Sequence, residues 1–85
     1  MAVSQTTRDS ARQREARHAR ASKKFGDAVR DRRLQLGVSQ DTLAHVAEID
    51  RSYVGRIERG EVNVTLEKAY ELAKALGCDI RDLLP

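Results

Sequence analysis

"DRSYVGRIERGE", Asp50 to Glu61, places three arginines, a tyrosine and a glycine on what its spacing predicts to be one short helix. With Arg51 at zero and an advance of about 100° per residue, Gly55, Arg59, Ser52 and Arg56 fall within one arc of roughly 140°. Tyr53, Val54 and Ile57 take the other side, and Glu58 sits at the margin of the arc. The pattern therefore predicts a helix that docks by an apolar face and turns a cationic face away from the domain. Gly55, near the middle of that face, costs about 1 kcal/mol of helix stability relative to alanine. Such a cost is understandable where another surface comes close.

The flanking sequence gives this helix its setting. "VSQDTLAHVAEID" predicts a helix of about two turns before it, with Ser39 as N-cap, Asp41 in the first turn, and Leu43, Ala44, Val46 and Ala47 available for burial. Asp50 is the next candidate cap, so only Glu48 and Ile49 separate the two helices. Helices joined so tightly cross at a steep angle, which is the helix-turn-helix arrangement. A first helix is predicted from about Lys23 to Leu36, with Phe25, Val29 and Leu36 on one stripe and Gly37 as its stop. Arg33 falls on that same stripe, so an arginine stands where a core residue is expected and needs a partner. Beyond Gly60, Thr65 caps a fourth helix whose Leu66, Ala69, Leu72, Ala73 and Leu76 repeat at helical spacing. Gly77 ends that helix, and Asp79 can cap a last short one bearing Ile80, Leu83 and Leu84. The expectation is all-α, five helices and no strands, over residues 23–85.

Residues 1–22 read differently. They have no large apolar residue beyond Met1 and Val3, so no face exists to pack, and a mobile arm is expected. "ARQREARHARAS" does have high helix propensity, which offers a frayed extension of the next helix as the alternative. The net charge of the 85 residues is +3, and its distribution is uneven. Arg8, Arg12, Arg14, Arg17 and Arg20 stand against Asp9 and Glu15 in the arm, while residues 23–85 hold eleven cations and eleven anions. Basic arms of this kind meet polyanions or simply solubilise the chain. These arginines can follow phosphates or lie in a narrow minor groove.

Other classes find little support. A chain this short buries little surface and gains from self-association. The lone Cys78 has no disulfide partner, and the Cys and His count is too small for a zinc framework, so a small buried hydrophobe is expected there and no metal or cofactor. His18 lies in the arm, His45 stands alone, and no nucleophile or carboxylate pair suggests an enzyme. No apolar run approaches a membrane span, and the first twenty residues lack the apolar stretch of a secretory signal, so a cytoplasmic protein with no membrane partner is expected. The tight turn, the one-sign helix face and the basic arm agree with one another. Together they point to double-stranded DNA, whose major groove admits one α-helix and whose guanine edges accept paired hydrogen bonds from arginine.

The stretch "LGVSQDTLAHVAEIDRSYVGRIERGEVNVTLEKAYELAKALG", Leu36 to Gly77, resembles the helix-turn-helix (XRE) family of phage repressors, Cro and their bacterial relatives. "LGVSQxxLA", "DRSYVxxIERG" and "LEKAYELAKAL" occur in the family's order and spacing, and the likeness covers roughly residues 25–84. Within the family, "IDRSYVGRIERGEVNVTL" is most similar to controller proteins of restriction-modification systems. The resemblance implies that Arg51, Ser52 and Arg56 face base edges, and that Ser39, Gln40, Tyr53, Arg59 and Asn63 serve the DNA backbone. It also implies a buried ion pair of Arg33 with Glu58. Glu48 departs from the family, standing at a turn position where Gly or Asn is frequent, and strain is expected there. A homodimer is expected, with its interface drawn from Val62, Val64, Tyr70, Ile80, Leu83 and Leu84. Antitoxins resemble the same family, so a toxin protein is the alternative partner.

Overall fold

The computed structural model describes residues 10–85, and among these the chain forms four α-helices and no strand: α1 (Ala11–Leu36), α2 (Gln40–Ala47), α3 (Arg51–Glu58) and α4 (Leu66–Ala75). The expected fifth helix is a 3-10 turn, Ile80–Asp82, capped by the Asp79 carboxylate. With Leu83 drawn inward and Pro85 unable to continue a hydrogen-bonded turn, the segment does not develop further.

α1 corrects the expectation of an arm that is mobile up to Ser22. The helix is 26 residues long and begins at Ala11, so Arg12, Arg14, Arg17 and Arg20 are helical, while Arg8 lies outside the described residues. Three causes act together. Alanine, arginine, glutamine and glutamate are strong helix formers. A helix already nucleated over Phe25 to Leu36 extends without a second nucleation cost. Finally, a capping box closes the start, the Gln13 amide N–H donating to Ser10 Oγ at 3.1 Å and the Ser10 N–H to Gln13 Oε1 at 2.9 Å. The stretch also has a neighbour, since Ser22 Oγ donates to Asn63 Oδ1 at 3.2 Å.

Phe25 and Val29 of α1, Leu43, Ala44 and Ala47 of α2, Val54 and Ile57 of α3, and Ala69, Leu72 and Ala73 of α4 make one buried core, closed below by Leu76 and Leu83. Leu83 is only 1% exposed, so it belongs to the monomer's interior and is removed from the expected dimer interface. Leu36, Val46 and Leu66 go the other way, expected inside but exposed. Leu36 and Leu66 are the last and first residues of their helices, past the point where a crossing partner covers them. Cys78 is half-buried against the core, and this burial raises its thiol pKa. Arg32 binds the end of α4, its guanidinium donating to the carbonyls of Leu76 at 3.2 Å and Gly77 at 3.3 Å. Cations at a helix C-terminus satisfy carbonyls the helix leaves open.

The crossing of α1 over α3 is made backbone to backbone. A side-chain carbon at Gly26 would overlap the Ile57 carbonyl oxygen and stand 3.0 Å from that of Glu58. At Gly60, whose φ is 74°, it would meet the Lys23 Cα at 2.8 Å. Neither obstacle is a flexible side chain. Gly26→Ala is therefore expected to cost about 2 to 3 kcal/mol through overpacking. Gly55→Ala, where the nearest atom is the mobile Arg59 Nη1 at 3.1 Å, is expected to be neutral or stabilising by up to about 1 kcal/mol. Urea unfolding of the two variants compares them directly, and equal losses would contradict this account of the crossing.

Candidate nucleic-acid interface

The turn between α2 and α3 is built on Glu48, which has φ 58° and ψ 42°, the one non-glycine residue with positive φ among the described residues. The Ile49 N–H returns to the Ala44 carbonyl at 2.9 Å and closes the end of α2. A left-handed glutamate costs about 1 to 2 kcal/mol, so the strain expected from the sequence has a definite location. Asp50 then opens α3 with extended backbone, but its carboxylate caps no backbone N–H and instead accepts from Ser52 Oγ at 2.7 Å. Glycine or asparagine at position 48 is accordingly expected to raise stability by about 1 kcal/mol, read as a higher urea midpoint.

Behind α3 lies a buried polar network. Arg33 grips Glu58 with two hydrogen bonds, Nε to Oε2 at 2.7 Å and Nη2 to Oε1 at 3.0 Å. Its third nitrogen, Nη1, donates to the Val38 carbonyl at 3.0 Å. Gln40 Nε2 completes the set by donating to Glu58 Oε1 at 3.0 Å. Burial pushes the Glu58 carboxyl upward, but the hydrogen bonds from Arg33 and Gln40 outweigh it and hold the group below the ordinary carboxylate value. The hydrogen bond from Glu58 likewise raises the Arg33 pKa against the effect of burial. Charged, fork-shaped pairs of this geometry are the strong kind. Through it, the first residue of α2 and the last of α3 are tied to one point on α1.

The outer face of α3 is arranged by exposed ion pairs. Arg51 Nε lies 2.7 Å from Asp41 Oδ1 in the first turn of α2. Arg59 holds both oxygens of Glu61, at 2.8 and 3.2 Å, and each partner favours the charged form of the other. Arg56 is exposed between them. Exposed pairs aim a side chain more than they stabilise it, so these guanidiniums are presented outward and can exchange a carboxylate for another acceptor. Ser52 is exposed, while Tyr53 is half-buried against the core. Ser39 is spent as a cap, its Oγ accepting from the Thr42 N–H at 3.0 Å. Asn63 is exposed beyond the end of α3, bonded to Ser22.

Sequence spacing alone did not show three of these features. Gly55 is buried, and the surface near it is the chain's own Arg59 and Gln40, whereas the sequence suggested an external one. Gln40 is half-buried on Glu58, and Arg51 is bound to Asp41. Long polar side chains reach several partners, and periodicity carries no information about which they take.

An α-helix set by a tight turn, docked on the core by one face and carrying arginines along the other, defines a DNA-binding regulator of the helix-turn-helix type. The chain belongs to that family, whose model, described as "Helix-turn-helix", matches residues 29–83. It is 43% identical over 61 residues to Control protein C.BamHI of Bacillus amyloliquefaciens, covering 71% of this chain and 75% of that one. Control protein C.SmaI of Serratia marcescens is 43% identical over 60 residues, 71% of each chain. The crystal structure of the restriction-modification controller protein C.AhdI from Aeromonas hydrophila superposes with a TM-score of 0.76 at 45% identity, over 79% of this chain and 97% of that one. Among the described residues no helix is long and apolar enough to cross a membrane.

Removing one member of the buried pair leaves the other charge buried without its counter-ion. Arg33→Met is expected to cost about 3 to 5 kcal/mol, and adding Glu58→Leu to recover most of it, because the uncompensated charge goes with it. Glu58 has its folded pKa depressed. Its contribution is complete above the unfolded carboxylate value of about 4.3 and is lost as pH falls through the lower folded value. Glu58→Gln should thus be destabilised at neutral pH and show a flatter loss of stability in acid. Urea midpoints at pH 7 and pH 3 test both statements, and parallel acid limbs for the two proteins would refute the second.

Proposed function

We propose that the protein is a sequence-specific regulator of transcription that binds an inverted-repeat operator as a symmetric homodimer, with α3 of each protomer in the major groove. The cationic face of α3, fixed from behind by the Arg33–Glu58–Gln40 network, carries this reading. In it, Arg51, Ser52 and Arg56 meet base edges, because two-pronged contacts from arginine discriminate guanine. Ser39, Gln40, Tyr53, Arg59 and Asn63 position the backbone, and positioning contacts carry little sequence information. The likeness to the control proteins C.BamHI and C.SmaI supports a controller's role, set beside the methyltransferase and endonuclease genes of a restriction-modification system.

The dimer rests on apolar surface that the monomer leaves in water. Leu66, Tyr70 and Leu84 are 66%, 57% and 48% exposed. Leu66 and Leu84 border a groove of about 440 Å³ that Val62 and Val64 also line, and Ile80 is half-buried nearby on the core. One short reading helix per protomer gains from a second copy, and twofold symmetry converts the pair into a palindromic reader. The two α3 helices would then enter successive major grooves about 34 Å apart on one side of the duplex.

Selection from random duplexes should return an inverted repeat, and light scattering at tens of micromolar should give twice the chain mass. Arg51→Ala and Arg56→Ala are expected to lose about 1 to 3 kcal/mol on the selected site and to narrow the preference over random DNA, whereas Arg59→Ala weakens both alike. Equal losses on both DNAs for all three substitutions would remove the assignment of base contacts. A monomeric mass with DNA binding intact would remove the dimer.

A further inference from the structure

The part of α1 that precedes Phe25 makes no DNA contact in the reading above, although its His18, Ala21 and Ser22 line the groove beside Leu66 and Leu84. From Ala11 to Lys24 it carries Arg12, Arg14, Arg17, Arg20, Lys23 and Lys24 against one acid, Glu15; all six cations are exposed, and Lys23 is paired with Asp27 at 2.6 Å. Its inner side faces the loop that follows α3. Glu15, His18, Ala19 and Ser22 line a cleft with the Gly60 to Asn63 loop that follows α3, and Ser22 is hydrogen-bonded to Asn63. At about 100° per residue, Arg17, Arg20 and Lys24 then lie opposite that loop, with Arg12 and Arg14 on the two flanks. Cations cover every side of the extension except the one resting on the loop.

Such a helix is electrostatically uncomfortable by itself. Arg20 and Lys24 are like charges four residues apart, a repulsion worth a few tenths of a kcal/mol. There is no acidic residue in its first turn to complement the dipole, and arginines there oppose it. A polyanion alongside would relieve both. The family model begins only at residue 29, and the superposition on C.AhdI covers 97% of that protein but 79% of this chain, so only the first part of the extension falls outside the shared fold.

We propose that this extension is a second DNA-contacting element, a rigid basic helix lying along the phosphate backbone that flanks the site read by α3. The inference rests on the α3 reading for its placement, because the loop that carries the extension directly follows Arg59 at the end of α3. A helix with its side chains is about 10 to 12 Å across, whereas the minor groove is about 6 Å wide. The helical form therefore replaces minor-groove insertion, which an extended arm could make, with contact to phosphates. The twelve residues before Lys23 reach about 18 Å at 1.5 Å each, enough to follow a strand beyond the edge of a half-site.

The test uses the full chain with Arg12, Arg14, Arg17 and Arg20 all changed to Gln, whose helix propensity is close to arginine's, so far-UV helicity should be retained. Affinity is measured against salt on three probes. The first is the selected duplex trimmed at its half-sites, the second the same site with about ten base pairs added at each end, roughly one helical turn. The third is a mixed-sequence duplex as long as the second. For the wild type, the slope of log K against log salt should be steeper on the flanked site than on the trimmed one, by about 0.9 for each arginine in contact. The Gln variant should show equal slopes on both and keep its preference for the selected site within about twofold, roughly 0.4 kcal/mol. The four Arg→Lys changes keep the charge and should keep the steep slope. Superimposable wild-type and Gln slopes on the flanked and mixed duplexes overturn the proposal, as does loss of sequence preference together with the slope. Should selection return no site, the α3 reading fails while the mixed-sequence slopes still decide whether the extension touches DNA.

Discussion

A carboxylate taken out of water must be met by donors, and Glu58 is met by three N–H groups, two from Arg33 and one from Gln40. Because Arg33 belongs to α1, Gln40 opens α2 and Glu58 ends α3, the requirement that these donors converge fixes three helices relative to one another. Hydrophobic burial alone would not do this. The residues packed between these helices are Val29, Leu43, Ala44, Val54 and Ile57, and aliphatic surfaces tolerate sliding and rotation at small cost. A two-pronged charged pair does not tolerate them. Buried pairs are poor evidence for net stability, since well-packed apolar groups often do as well. What the network supplies is a definite angle for α3, the quantity on which a reading helix depends.

The same angle is defended from two other directions. At Gly26 and Gly60 the backbones of α1 and α3 approach too closely for a side chain between them, so the crossing has a minimum distance as well as an orientation. At Glu48 the chain accepts a left-handed residue to reverse direction within two residues of the end of α2. Strain of this kind persists only where the surroundings over-determine the conformation. Here Ile49, whose N–H closes the end of α2 and whose side chain packs on the core, and Ser52, which holds the Asp50 carboxylate, fix the chain that follows it.

Where a structural feature follows from periodicity, the sequence announced it. The apolar spacing of α2, α3 and α4, the caps Ser39 and Thr65, and the stops Gly37 and Gly77 are local signals, and each specifies its element without reference to the rest of the chain. Arg33 on an apolar stripe was legible as an anomaly needing a partner, and family resemblance supplied Glu58. Three kinds of fact were not legible. Gly26 reads as an ordinary mid-helix glycine until another backbone is known to pass it. Leu66 and Leu36 keep helical spacing but sit at helix ends, where spacing says nothing about cover. The extension of α1 has no apolar face to announce it, and only its helix propensity offered it as an alternative, whereas a nucleated neighbour, a capping box and one loop contact suffice to form it.

Charge is divided along the chain in a way that matches these mechanics. Residues 23–85 hold equal numbers of cations and anions, and of Arg51, Arg56 and Arg59 the first and last are already engaged by carboxylates of the same chain. A neutral domain with internally satisfied arginines attracts polyanions weakly at long range. In the proposed complex an incoming base edge must instead offer Arg51 a better acceptor than Asp41, and a carboxylate is a demanding standard for an uncharged base edge to exceed. The exchange is favourable only where geometry is good at several contacts at once, which penalises wrong sequences more than right ones. The excess positive charge sits in the α1 extension and the residues before it, away from the helix face that must discriminate. Under the proposed reading, long-range attraction and short-range selection are thus carried by different parts of the molecule, and strengthening either one need not degrade the other.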